Sequence, residues 1–208
     1  MDLIQLTEKE ERPQAPKPGE VELRFSDRGV KELDYLLTHY PDRKSAMLPA
    51  LWIAQREYGG NLPAEAVAEV AVRLGRSYAE VEGVATFYTM YHIRHAVGKH
   101  VIEVCTCIAC ALCGAYRIAD YLKAKLGVDW GETTPDGTFT LEEVECLDAC
   151  DRAPVLMVAD EYIGPAAEKD VDTLIERLRN TEEPTTVRLA DEVTQAQLHK
   201  TEQASAQD

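Results

Sequence analysis

The sequence contains no apolar run approaching the roughly 18 residues that a membrane-spanning helix needs. Its opening, MDLIQLTEKEERPQ, is acidic where a signal peptide would be basic and then apolar, so the chain is expected to be cytoplasmic. Basic charge is also scarce: 22 Lys and Arg stand against 37 Asp and Glu, a formal charge of -15. Such a surface repels a phosphate backbone and offers no counterion-release term, which argues against nucleic acid as a partner. Neither G-x-G-x-x-G nor G-x-x-x-x-G-K occurs, so no nucleotide or flavin site is expected on this chain itself. The histidines bear no readable relation to a nucleophile, so neither a Ser-His-Asp nor a Cys-His arrangement can be argued.

Cysteine is rare as well, with six in 208 residues, yet its distribution is far from even. Cys105, Cys107, Cys110 and Cys113 crowd into VIEVCTCIACALCGA, and Cys146 and Cys150 follow in VECLDAC. In a reducing compartment clustered thiols point to metal binding or redox chemistry more than to disulfides.

Residues 1-24 are charged and carry three prolines, and residues 181-208 are polar with few aromatics; both read as mobile tails that bury little surface. Between Phe25 and Arg94 apolar residues recur at helical spacing: Val30, Leu33, Leu36 and Leu37, then Met47, Leu48, Leu51 and Trp52, then Val67, Val70 and Leu74. Ser77 with Glu80 forms a capping box that opens a fourth helix through Val81, Val84 and Tyr88. A small helical bundle over residues 25-97 is the expectation.

After Gly98 the pattern changes. VIEVC reads as a strand, and residues 111-126 carry a helical stripe of Leu112, Tyr116, Ala119 and Leu126. FTLEEVEC reads as a second strand, PVLMVADEYIG as two short ones turning at Ala159-Asp160-Glu161, and VDTLIERLRN as a closing helix. This β-α-β-β-β-α order over residues 98-180 suits a small mixed sheet with helices on its faces, a thioredoxin-like α/β layout.

Cys105 closes the first strand, and Cys110 precedes the helix. Cys146 closes the second strand, with Cys150 in the loop after it. Parallel pairing would bring both loops to one sheet edge, where four thiolates suit either a [2Fe-2S] cluster or a structural zinc ion. Cys107, Cys110 and Cys113 also spell C-x2-C-x2-C, the start of a [4Fe-4S] motif, but Arg117 and Ile118 stand where that motif needs x3-C-P. Cys107 and Cys113 are therefore read as bystanders, Cys113 partly exposed and oxidisable. His92, His95 and His100 lie near the junction of the two halves without paired acidic ligands, and are read as helix-end or solvent residues.

The stretch GVATFYTMYHIRHAVGKHVIEVCTCIACALCGA (83-115), with VECLDACDRAPVLMV (144-158) and the earlier LPALWIAQREYGG, resembles the small [2Fe-2S] subunit of NADH-quinone oxidoreductase, respiratory complex I. The resemblance spans about residues 25-180. It implies a thioredoxin-like [2Fe-2S] ferredoxin domain after the helical one, with Cys105, Cys110, Cys146 and Cys150 as the metal and cluster ligands. It also implies a partner, the larger flavin subunit that binds NADH and FMN, together with further iron-sulfur subunits. The complex would place the chain at the inner face of the cell membrane. The family seldom has cysteine at positions 107 and 113. Its folds often hold a cis proline where Pro154 stands. The same motifs occur in the diaphorase component of soluble NAD-linked hydrogenases and formate dehydrogenases, and a zinc-stabilised scaffold is the rival without redox chemistry. Glu103, Glu145, Asp148 and Asp151 would surround a cluster with negative charge and lower its potential.

Overall fold

The computed structural model describes residue 16, residues 20-93 and residues 96-187; His95 and most of the two tails lie outside them. Four helices come first: α1 (Asp27–Leu37), α2 (Met47–Glu57), α3 (Ala64–Leu74) and α4 (Tyr78–Phe87). Their boundaries follow local chemistry. The Ser26 hydroxyl accepts the Gly29 N–H at 3.1 Å to cap α1. Gly75 closes α3 at φ +63°, a conformation that costs glycine little. Ser77 accepts the Glu80 N–H, but the Glu80 carboxylate turns to Arg76, so only half of the expected capping box forms. Leu33, Met47, Leu51, Val67, Val70, Leu74 and Val81 meet in one core, and the spaced apolar residues of the sequence account for most of it.

One polar cluster ties this bundle together. The fully buried Glu69 carboxylate accepts the backbone N–H groups of Arg24 (2.8 Å) and Phe25 (3.0 Å), the Tyr58 hydroxyl (2.8 Å) and Arg73 Nε (2.8 Å). Burial works to raise its pKa, but the two N–H donors, Tyr58 and Arg73 prevail and hold it below the usual carboxylate value. The stability it contributes is therefore present above the unfolded-state pKa and is lost as pH falls through the lower folded-state value. Glu69→Ala leaves these donors without an acceptor and is expected to cost about 3 kcal/mol, read by urea unfolding at neutral pH, with a smaller deficit in acid.

The second half is a four-stranded sheet in the order β2-β1-β3-β4. β1 (His100–Cys105) pairs in parallel with β2 (Phe139–Val144), His100 opposite Phe139 and Cys105 opposite Val144. β3 (Leu156–Val158) is antiparallel to β1, and β4 (Glu161–Ile163) to β3. The crossover between β1 and β2 holds α5 (Ile108–Leu112) and α6 (Ala115–Leu126), and α7 (Glu168–Arg179) closes the unit. Ile102, Val104, Phe139, Leu141 and Leu156 pack with Ile118 and Leu122 of α6 and Val171, Leu174 and Ile175 of α7 in a second core.

Three expectations need correction. The single helical stripe over residues 111-126 is two helices, because Gly114 at φ +96° breaks the run and resets its phase. The buried face is then Ala115, Ile118, Ala119, Leu122 and Leu126, while Leu112 and Tyr116 point outward. Next, His100 is neither at a helix end nor in solvent: it opens β1, fully buried, with Nδ1 3.1 Å from the Thr185 hydroxyl. Finally, residues after Thr181 do bury surface, since a 3-10 turn at Thr185–Val187 packs Thr185 and Thr186 into the junction of the two halves.

Candidate metal centre

Parallel pairing makes the site. With Cys105 opposite Val144, the chain leaving β1 and the chain leaving β2 emerge side by side at one edge. The Thr106 N–H donates to the Val144 carbonyl (3.0 Å) and the Cys105 N–H to the Val155 carbonyl (3.1 Å), which fastens the two loops and the start of β3 to one another. Cys105 and Cys110 are buried, their thiols within hydrogen-bonding reach. Cys146 lies two residues beyond the end of β2 rather than closing it, and Cys150 begins a 3-10 turn, Cys150–Arg152. These two thiols are also within reach of each other, and Cys150 lies close enough to Cys105 and Cys110 to interact electrostatically. Leu147, Val155 and Ala115 floor the site, and the Ala153-Pro154 bond is cis. All six cysteines are free thiols.

Burial, then the adjacent Cys105 thiol, push Cys110 up to about 11; desolvation, then Cys146, raise Cys150. Thiols crowded in this way resist ionising together, and a positively charged core is what relieves them. Among the described residues no three His, Cys, Asp or Glu side chains converge to hold a single ion. Thiols brought to one sheet edge in this way are a donor set of the kind that a [2Fe-2S] core or a zinc ion takes. Backbone N–H groups complete the surroundings. Asp148 adopts φ +54°, a left-handed conformation that aspartate tolerates better than most residues, and its N–H reaches Cys146 Sγ at 3.4 Å. The Val155 N–H is a second such donor, to Cys110. Sequence reading missed both donors, although an Asp inside the C-x3-C loop was the available signal for the first.

Of the remaining candidates, Cys107 is half-buried at the start of α5 and near enough to Cys150 to raise its pKa, and Cys113 is exposed at the end of α5. Glu145, Asp148 and Asp151 are exposed on the second loop, as a ring of charge requires. Glu103 departs from that role. Its side chain enters a cleft of about 240 Å³ with Trp52, Met90, His92 and Tyr162, where burial and then Glu142 raise its pKa to about 7. His92 is committed to structure, its Nδ1 2.7 Å from the Gly60 carbonyl.

Residues 33–179 match the family model of the thioredoxin-like [2Fe-2S] ferredoxins. The chain belongs to this family. Within the ferredoxin family its relatives include the second E-type NADH-quinone oxidoreductase subunit of Rhizobium meliloti, 43% identical over 160 residues that make up 77% of this chain and 94% of that protein. The E-type subunit of the same oxidoreductase in Rickettsia conorii is 40% identical over 158 residues, 75% of this chain and 94% of that one. These are subunits of an oxidoreductase, and the present ferredoxin is homologous to them over both its helical and its sheet half. Among solved structures, NAD+-reducing [NiFe]-hydrogenase in the air-oxidised state matches 63% of this chain and 23% of that one at a TM-score of 0.54 and 20% identity, a likeness of fold. No helix among the described residues of this ferredoxin is long and apolar enough to cross a membrane.

Proposed function

We propose that this chain is the electron-transfer subunit of an NADH-quinone oxidoreductase, with a [2Fe-2S] cluster held by Cys105, Cys110, Cys146 and Cys150. The observation that carries the reading is the meeting of two thiol pairs at the end of two parallel strands, in a chain of this family. When bound, such a cluster supplies a one-electron site, which can exchange single electrons with FMN, a two-electron carrier, on the partner that binds flavin and NADH. The protein's part is to bury one thiol pair, leave the other near the surface, and aim the N–H groups of Asp148 and Val155 at sulfur. In this reading residues 25-97 form a helical domain and residues 98-180 the cluster domain, with tails on either side. The whole would sit in the cytoplasm, held at the inner face of the membrane by the complex and beside its further iron-sulfur subunits. The diaphorase component of a soluble NAD-linked hydrogenase is a second reading, supported by the shared fold of the hydrogenase structure. The names of the curated relatives favour the first.

The test is co-purification: the tagged full chain should bring down a flavoprotein that oxidises NADH, and membrane subunits with it; a nickel-containing partner would favour the second reading. A further expectation concerns charge. Asp148→Asn with Asp151→Asn removes two exposed anions from the loop and should raise the midpoint potential by tens of millivolts, on the order expected for charges at short range through water-like dielectric. An unchanged or lower potential in a redox titration followed by electron paramagnetic resonance would contradict the electrostatic account. Because Glu103 is half-buried in the cleft away from the loop, with a pKa raised to about 7, it is not included.

A further inference from the structure

Along β1 the side chains alternate, so Ile102 and Val104 enter the core beneath α6 and α7, while Val101 and Glu103 face the other way, toward the helical bundle. Glu103 thus places a carboxylate on a sheet face that a second layer covers. The register sets Glu142 of β2 directly alongside it and Met157 of β3 on its other flank. Two carboxylates side by side repel one another, and one taken out of water is costly unless a cation or a hydrogen-bond donor meets it. Among the described residues the Glu103 side chain makes no hydrogen bond or ion pair. The cleft that it lines, of about 240 Å³, lies where the two halves meet, a common setting for small-ligand sites. Trp52 of α2 and Tyr162 of β4 supply aromatic walls, and Thr185 and Thr186 complete the lining. Asp160, in the turn between β3 and β4, adds a second carboxylate, exposed where Glu103 is half-buried. No Lys or Arg of the described residues lines this cleft. Arg152, which does not line it, holds its guanidinium 5.7 Å from the centre of the Tyr162 ring, so this ring is already one over which a cation rests.

We infer that this cleft binds a free small organic cation, an alkylammonium or guanidinium compound, with Glu103 and Asp160 as its counter-charges and the Trp52 and Tyr162 rings as its walls. Carboxylates give such a group charge-assisted hydrogen bonds, and aromatic faces attract it through the ring quadrupole. The same carboxylates repel an anionic ligand. A bare metal ion does not suit the lining, since among the described residues no three His, Cys, Asp or Glu side chains converge to hold one. The acidic surface of the protein, at a formal charge of -15, raises the concentration of cations around the cleft. The site needs nothing from the thiols, so it stands or falls apart from the electron-carrier reading.

The test is equilibrium dialysis of the purified full-length chain against labelled agmatine, which carries both a guanidinium and an ammonium group. Saturable uptake of about one agmatine per chain is expected, in line with a single small cleft. Glu103→Gln should weaken it by about tenfold or more, and Asp160→Asn and Trp52→Leu by several-fold each. Glu176→Gln removes the same charge from an exposed position on α7 and should bind as wild type does. Iron content and far-ultraviolet circular dichroism show that each variant is folded and loaded. Glu103→Gln preserves the shape of the side chain, so it decides the outcome if Trp52→Leu fails to fold. Absence of saturable uptake by the wild type, or uptake that Glu103→Gln leaves unchanged, would overturn the inference. Equal weakening by Glu176→Gln would overturn it too, as the mark of a general attraction to an acidic surface. The same dialysis on the complex captured through a tagged chain separates a free cation from a neighbour's basic side chain. Glu103-dependent uptake should persist there; its loss would mean that a neighbouring subunit fills the cleft, and the free-cation site fails.

Discussion

Cys146→Ala is expected to abolish cluster binding while leaving the fold intact. The side chain is exposed, so its truncation forfeits little packing, and the effect isolates the loss of a sulfur ligand. Iron content should fall from about two atoms per chain by more than about tenfold, beyond what losing an outer-shell partner costs. Cys150→Ala should behave alike. Cys107→Ala and Cys113→Ala should each keep full iron, which separates the two pairs from their sulfur neighbours. Far-ultraviolet circular dichroism confirms folding in every case. Loss of iron in Cys113→Ala but not in Cys146→Ala would require a different ligand set.

The second large effect lies at Gly164, just after β4. A Cβ built there would stand 2.3 Å from the Arg152 carbonyl oxygen and 3.2 Å from that of Pro154. Both are backbone atoms, so neither can swing aside as a flexible side chain would. Gly164→Ala must displace the segment that follows Cys150, and is expected to destabilise the protein by about 3 kcal/mol or more, at the upper end of overpacking costs. That segment also includes Val155, whose N–H faces Cys110 and whose carbonyl holds the Cys105 N–H. The variant should therefore lose iron faster to a chelator than the wild type, at a temperature where both remain folded. Gly75→Ala, also in a turn but with nothing within 4 Å of the added Cβ, should cost only the strain of its positive φ and leave iron retention unchanged.

Much of this architecture was legible in the sequence because its signals are local. Helical spacing of Leu33, Leu51 and Val70, the Ser77 cap, and the strand-helix-strand order around VIEVC and FTLEEVEC each depend on a few adjacent residues, and the structure follows them. That the two cysteine-bearing loops leave the same end of the sheet follows from the parallel pairing of β1 and β2. What was not legible depends on tertiary contact. The periodicity through Leu112 and Tyr116 is genuine, yet Gly114 resets the helix phase, and the side chains that pattern would bury are turned out. Glu103 reads as one more acidic residue beside a cysteine, whereas it lines a cleft with the bundle's Trp52 and Met90, where partial burial and then Glu142 raise its pKa to about 7. Thr185 and Thr186 belong to a polar stretch with no core signal; they are buried because a turn returns them to Lys99 and His100.

Metal and sulfide analysis of the purified full-length chain, joined to electron paramagnetic resonance after dithionite reduction, tests the central claim most directly. The account predicts about two irons and two sulfides per chain, with the rhombic signal of a reduced [2Fe-2S] cluster. A silent spectrum with about one zinc ion per chain would contradict it.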